Sequence, residues 1–373
     1  MFVKEFSKER QAEQKRRREL VRGCTRFLSG HGPVAPEAEM AEVAEYCRRT
    51  GAEADVYGTG EFLNGFEEEM ASLLGMEAAV FMPSGIMAQQ IALRIWADRA
   101  ASRHIGLHAT SHVEVNEQLA YVHLHRLVRV PLGEKNAPYT AADLSSRTER
   151  MSSALLELPY RRLGGVLPGW ADLEAIKAAA KEKGIRLHLD GARLWESQPY
   201  YGRTLAELCR GFDSAYVSFY KGIGAMTGSM LLGAADFIKD ARIWQRRHGG
   251  NLYTLHPFAV SSKINFEKRR DRFPEYWDQA KRLARDLAPV EGLTVRPVEP
   301  HTPLLHLLLR GAPETLSARR DRIAREEKLW LGGILESDVP GSALLEAAVG
   351  DATLTLDVRE LAATFRRLLA PGP

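Results

Sequence analysis

Six short apolar runs, at 78–81, 127–130, 154–158, 185–189, 215–218 and 229–232, punctuate the first two thirds of the chain, and helical patterns separate several of them. No other feature constrains the fold as tightly. A run of four or five apolar residues with no polar alternation reads as a strand buried on both faces. Stretches such as 88–97 and 171–183 are long enough to carry the chain from one strand to the next, and Asp172 is placed to cap the second. Alternation of this kind predicts an α/β architecture, a mostly parallel central sheet sandwiched by helices. Upstream, 36–48 and 66–74 read as helices beside the glycine-rich DVYGTGEFLNG at 55–65. Past residue 256, strand-like runs at 304–309 and 352–358 lie among longer helical patterns, which predicts a smaller α+β domain. Three regions result: an N-terminal helical arm (1–35), a large domain (36–255) and a small C-terminal domain (256–373).

The arm interleaves Lys4, Lys8, Lys15, Arg16, Arg17, Arg18 and Arg22 with Glu5, Glu9, Glu13 and Glu19. Several opposite charges fall four residues apart, so a solvated or subunit-contacting helix is expected, an anion-binding arm being the other reading. Over 373 residues the formal net charge is only +3, which does not suggest a nucleic-acid footprint. Small molecules are the expected partners. Cys24, Cys47 and Cys209 are widely spaced and odd in number, so neither a disulfide framework nor a metal cluster is expected, and a reducing cytoplasm fits. No apolar run reaches the 18 residues that span a bilayer, and the start has no secretory apolar stretch. No membrane partner is expected.

Open sheets of this type bind ligands at the carboxyl ends of their strands, so the residues closing each apolar run are the candidates for chemistry. IRLHLDGAR (185–193) ends a strand in Asp190, either a turn former or an acid that holds a proton on a heterocyclic nitrogen. VSFYKGIGAMTG (217–228) surrounds Lys221 with glycine and small residues. A lysine so crowded can be desolvated and bond a carbonyl, although an exposed lysine is the simpler reading. Together, Asp190 and Lys221 supply what pyridoxal phosphate needs, an amine for its aldehyde and an acid for its ring nitrogen. FMPSGIMAQQ (81–90) runs from a strand into a helix whose first amides, with the Ser84 hydroxyl, form a phosphate cradle or only a turn. In LHATSHVEVNE (107–117), His112 is either a structural histidine or a plane that stacks on a planar cofactor.

Taken in order, HLDGARLW (188–195), SFYKGIGAMTGSMLLG (218–233), DVYGTGEFLNGFEEEMASLLG (55–75), EAAVFMPSGIMAQQIAL (77–93) and the His112 to Glu117 spacing resemble the threonine aldolase group of fold-type I pyridoxal-phosphate enzymes, the beta-eliminating lyase family. The resemblance covers 25–260 well and the rest loosely. It implies pyridoxal 5'-phosphate as cofactor and reversible retro-aldol cleavage of a β-hydroxy-α-amino acid to glycine and an aldehyde. By position, Lys221 would bind the cofactor aldehyde, Asp190 would pair with the ring nitrogen, and His112 would stack on the ring and act as base. Ser84, Gly85 and Ile86 would hold the phosphate. Arg193 would reach a cofactor oxygen or the substrate carboxylate, Ser29 would bind substrate, and Tyr57 would project into a neighbouring subunit's site. A homodimer or homotetramer is implied.

Four segments depart from the family pattern. Ile86 replaces a threonine of the phosphate turn. Tyr253, in GGNLY, replaces an arginine that reaches the partner's phosphate. The family's ENTH segment reads Glu157, Leu158, Pro159, Tyr160 here, and Asp351 stands where the family has an arginine that grips the substrate carboxylate. Arg161, Arg162 and Arg310 are candidate replacements for that cation. The altered contacts leave β-elimination or decarboxylation of another amino acid, or a catalytically silent cofactor-binding protein, as alternatives.

Overall fold

The computed structural model describes residues 8–370, so the first seven residues of the expected arm lie outside it. The chain divides into a larger unit, Ala35–Pro274, and a smaller one that joins the residues before Ala35 to those after Pro274.

Seven strands form the sheet of the larger unit: β1 (Ala78–Met82), β2 (His104–His108), β3 (Val128–Leu132), β4 (Met151–Glu157), β5 (Arg186–Gly191), β6 (Ser214–Ser218) and β7 (Ser229–Gly233). Their spatial order is β1-β7-β6-β5-β4-β2-β3. Strand β7 runs antiparallel to both neighbours, and every other pair is parallel. All residues of β4, β6 and β7 are buried, which is why these segments read as unbroken apolar runs. The apolar pattern missed β2. Its sequence, HIGLH, is broken by Gly106, where a Cβ would lie 2.6 Å from Leu132 Cδ1.

Helix α1 (Pro36–Thr50) precedes the sheet, and α2 (Gly85–Ala100) covers one face of it. Ile91, Ala92, Ile95 and Trp96 of α2 pack in one cluster with Val80, Tyr216, Leu231 and Phe237. The helix Trp170–Glu182 starts at Gly169, so Asp172 sits in its first turn and not at the cap. Helix α3 (His256–Arg269) also stays with this unit, because Val260 and Ile264 pack with Val43 and Tyr46 of α1. The larger unit therefore runs past residue 255 to 274.

The smaller unit carries an antiparallel sheet of β8 (Leu293–Arg296), β9 (Leu304–Arg310), β10 (Ile334–Glu336) and β11 (Ser342–Ala348), in the order β10-β11-β9-β8. Residues of the expected arm belong to it: Arg26–Phe27 pairs in parallel with Leu329–Trp330, and Arg16 bridges Asp321 at 2.8 Å. The strand expected at 352–358 is not present. Asp351–Leu354 and Val358–Leu369 are helical, and the Asp357 carboxylate accepts the Arg359 and Glu360 amides at 2.8 and 3.1 Å, so a helix cap occupies the place where alternation suggested a strand. Among the described residues, no helix is long and apolar enough to cross a membrane.

Candidate active site

Parallel register brings the strand ends together: Glu157 of β4 lies opposite Asp190 of β5, and Asp190 opposite Tyr216 of β6. Lys221 follows β6 by three residues. These ends open on a cleft lined by Lys221, Asp190, Glu157, His112, Arg161, Arg162 and Arg193, among others. Two glycines let the chain close around it. A Cβ on Gly191 would come within 2.7 Å of the Tyr216 carbonyl oxygen, and one on Gly222 within 2.5 Å of Glu196 Oε1.

Burial pushes the Lys221 amine below its usual value, and the neighbouring Asp190 charge pulls partly against that shift. A larger share of neutral, nucleophilic amine follows than an exposed lysine provides. Asp190 is buried but well supplied with donors: Gln89 Nε2 at 2.5 Å and the Ala192 amide at 3.0 Å. Its neighbour Glu157 is equally buried and accepts only the His112 amide, at 2.6 Å, among the hydrogen bonds described. Burial first, and the Asp190 charge second, push Glu157 up to about 8. Two adjacent carboxyls do not both ionise readily, and of this pair Glu157 is the one pushed toward its neutral form.

His112 is oriented by its own helix turn. Its Nδ1 lies 2.9 Å from Oε1 of the buried Glu117, whose other oxygen accepts Gln90 Nε2 at 2.7 Å. Glu117 as acceptor places the proton on Nδ1 and leaves Nε2 to accept. Of the three arginines, Arg193 pairs with buried Glu196 at 2.7 Å and Arg162 donates to Asn116 Oδ1 at 3.0 Å. Arg161 stands in a short turn closed by the Tyr160 to Val166 bridge, and its charge bears on both Lys221 and Glu157.

At the far end of β1, extended Ser84 (φ −146°, ψ 136°) leads into the 16-residue helix α2, whose first amides point out of the turn. Gly85 is required there: a Cβ would fall 2.0 Å from Tyr216 Oη. The Ile86 side chain is 42% exposed. A glycine-lined helix start, a desolvated amine and an acid rich in donors fit pyridoxal phosphate.

Other residues singled out in the sequence lie elsewhere. Ser29 belongs to the smaller unit, where its hydroxyl accepts the Ala348 amide at 3.3 Å. Asp351, in the same unit, accepts Tyr276 Oη at 2.5 Å and lies 3.1 Å from His31 Nδ1. Arg310 pairs with Glu291 at 2.8 Å, also in that unit. Tyr57 takes a left-handed backbone (φ 51°) and is mostly exposed, its ring edge-on to exposed Tyr253 with centroids 5.4 Å apart. Among the described residues, no group of three or more His, Cys, Asp or Glu could hold a metal. The sequence reading did not single out Gln89 and Glu196 as partners of site residues, and it treated Glu157 only as a departure. One signal was available, since Glu157 stands near the end of its apolar run, one residue before Leu158, as Asp190 follows the next.

A sheet in this order, with an amine and an acid at adjoining strand ends and an anion cradle at a helix start, defines the class of fold-type I pyridoxal-phosphate enzymes. Comparison with known proteins narrows the class: the Beta-eliminating lyase family model matches residues 36–308, and the chain belongs to that family. A solved structure from Exiguobacterium sp. 255-15, described as a candidate aromatic amino acid beta-eliminating lyase/threonine aldolase, is 39% identical with a TM-score of 0.88, covering 95% of this chain and 99% of its own. A candidate L-allo-threonine aldolase from Listeria monocytogenes EGD-E is 38% identical with the same TM-score, covering 95% and 98%. The low-specificity L-threonine aldolase 1 of Arabidopsis thaliana is 29% identical over 251 residues, 65% of this chain and 70% of that protein.

Proposed function

We propose that this chain is a pyridoxal-phosphate-dependent aldehyde-lyase of the threonine-aldolase type, cleaving a β-hydroxy-α-amino acid reversibly to glycine and an aldehyde. The observation that carries the reading is the shared cleft of Lys221 and Asp190. When bound, pyridoxal phosphate supplies the electron sink for the pair released as the bond between Cα and Cβ breaks.

The chain's own residues supply the rest. Lys221 offers the amine for the aldehyde carbon, and Asp190 holds a proton on the ring nitrogen. Amides of Ser84, Gly85 and Ile86, with the Ser84 hydroxyl, receive the phosphate. His112 would stack on the ring, and its Nε2, left unprotonated by the bond from Nδ1 to Glu117, would accept the β-hydroxyl proton directly or through a water. Glu157, pushed toward its neutral form by burial and by its neighbour Asp190, adds no second negative charge to the strand-end pair. Arg193, braced by Glu196, would reach a cofactor oxygen, and Arg161 would receive the substrate carboxylate in place of the cation absent at Asp351.

The enzyme works in the cytoplasm as a homo-oligomer, and the exposed, paired rings of Tyr57 and Tyr253 support a partner surface. The test is visible absorption of the purified protein before and after adding glycine and a panel of β-hydroxy amino acids, with products assayed. A cofactor band that responds to glycine, with aldehyde released, is expected. Ammonia with a keto acid would replace the reading by β-elimination, carbon dioxide by decarboxylation, and absence of any band would remove the cofactor.

A further inference from the structure

Five buried residues form an unbroken chain of hydrogen bonds that ends on Asp190. Trp96 Nε1 lies 2.8 Å from Ser214 Oγ, Ser214 Oγ 2.8 Å from His188 Nδ1, His188 Nε2 2.6 Å from Gln89 Oε1, and Gln89 Nε2 2.5 Å from Asp190 Oδ2. None of the five is more than 4% exposed.

Elementary donor and acceptor rules fix the direction of every link. Indole nitrogen only donates, so Ser214 Oγ accepts from Trp96. At the other end, Gln89 gives its amide hydrogens to the carboxylate, so its oxygen must accept from His188 Nε2–H. His188 then carries its single proton on Nε2, and Nδ1 accepts the Ser214 hydroxyl proton. Burial pushes His188 down to about 3, so the ring is neutral and this tautomer is the one present. All four bonds therefore point toward Asp190, and in a low-dielectric interior each bond polarises the next. Glu157, one strand away and equally buried, has no such chain among the described residues.

We infer that Trp96, Ser214, His188 and Gln89 act as positioning residues, a one-way relay that fixes the Asp190 carboxylate in its charged form and thereby sets how firmly the cofactor's ring nitrogen keeps its proton. Mere space-filling does not require four polar side chains from three separate elements aligned in one sense. The inference rests on the proposed function, because it takes pyridoxal phosphate to be the ligand that Asp190 meets.

The experiment uses the full-length protein loaded with pyridoxal 5'-phosphate labelled with ¹⁵N in the ring, whose nitrogen shift is followed against pH. Ser214→Ala cuts the relay three links from Asp190, Gln89→Leu cuts it at Asp190, and Ser214→Thr keeps the hydroxyl. The expected result is a ring-nitrogen pKa lower by about one unit, a tenfold weaker hold on the proton, in Ser214→Ala, and a larger drop in Gln89→Leu. Ser214→Thr should behave as the parent. Melting curves identify any variant that fails to fold, and Ser214→Ala, which removes one oxygen, then decides alone. Ring-nitrogen titrations identical in the parent, Ser214→Ala and Gln89→Leu would overturn the relay while leaving the cofactor reading intact. Failure of the parent protein to take up the labelled cofactor would overturn both.

Discussion

Replacing Glu157 by Gln should make the cofactor-free protein more stable at neutral pH and nearly unchanged at pH 5. The carboxyl is buried beside Asp190 and is pushed from an ordinary 4.5 up to about 8. Because the folded value is raised, its contribution to stability is present in full below 4.5. It is lost as pH climbs toward 8, while the unfolded chain ionises and the native state holds its proton. At pH 7 the solution stands about two and a half units above the unfolded value of 4.5 while the native carboxyl still holds its proton, and at about 1.4 kcal/mol per unit the loss is about 3 kcal/mol. Glutamine has nearly the same shape, still accepts the His112 amide, and cannot ionise. The variant should therefore melt on the order of 5–10 °C above the parent at pH 7, and the gap should close by pH 5. Thermal unfolding followed by circular dichroism at both pH values checks this. A variant no more stable than the parent at pH 7, or a gap independent of pH, would show that Glu157 is ionised in the native protein and that the strand-end pair carries two charges.

Three other outcomes are expected. Lys221→Ala should abolish turnover and the visible band of the bound cofactor, and a purified variant retaining most of its activity would remove the amine assignment. Arg161→Met should raise KM for amino acids by about 100-fold, about 3 kcal/mol for a lost charge-assisted pair, while cofactor affinity measured by fluorescence titration stays unchanged; an unchanged KM would return the carboxylate to another cation. In Gly85→Ala, the new methyl must displace the Tyr216 ring, so a loss of about 1–3 kcal/mol in stability and weaker phosphate binding should show in melting and in cofactor titration. Unaltered cofactor affinity in that variant would mean the α2 turn is not the phosphate cradle.

Much of the larger unit was legible because burial on both faces writes itself into a strand as a continuous apolar run, a purely local signal. The six strands so marked all exist, and Lys221 and Asp190 stood out because each closes such a run among small residues. The smaller unit was harder to read: 352–358 alternates like a strand, yet Asp357 caps a helix there, and the true strand Ser342–Ala348 lies just before it. The boundary at 256 did not anticipate α3 staying with the larger unit, since the residues that hold α3 lie on α1, about two hundred positions earlier.

What the sequence by itself determined was the kind of chemistry: an amine and an acid at strand ends, a glycine turn for an anion, and the family whose motifs share that order. What only the tertiary structure decided was how those groups are tuned. Glu157 keeps its proton because folding buries it and, second, because the register of β4 against β5 sets it beside Asp190, and Asp190 meets Gln89 across 101 residues of chain. Charge and proton affinity depend on neighbours in space and on exclusion of water, and neither is written in the order of residues along one segment.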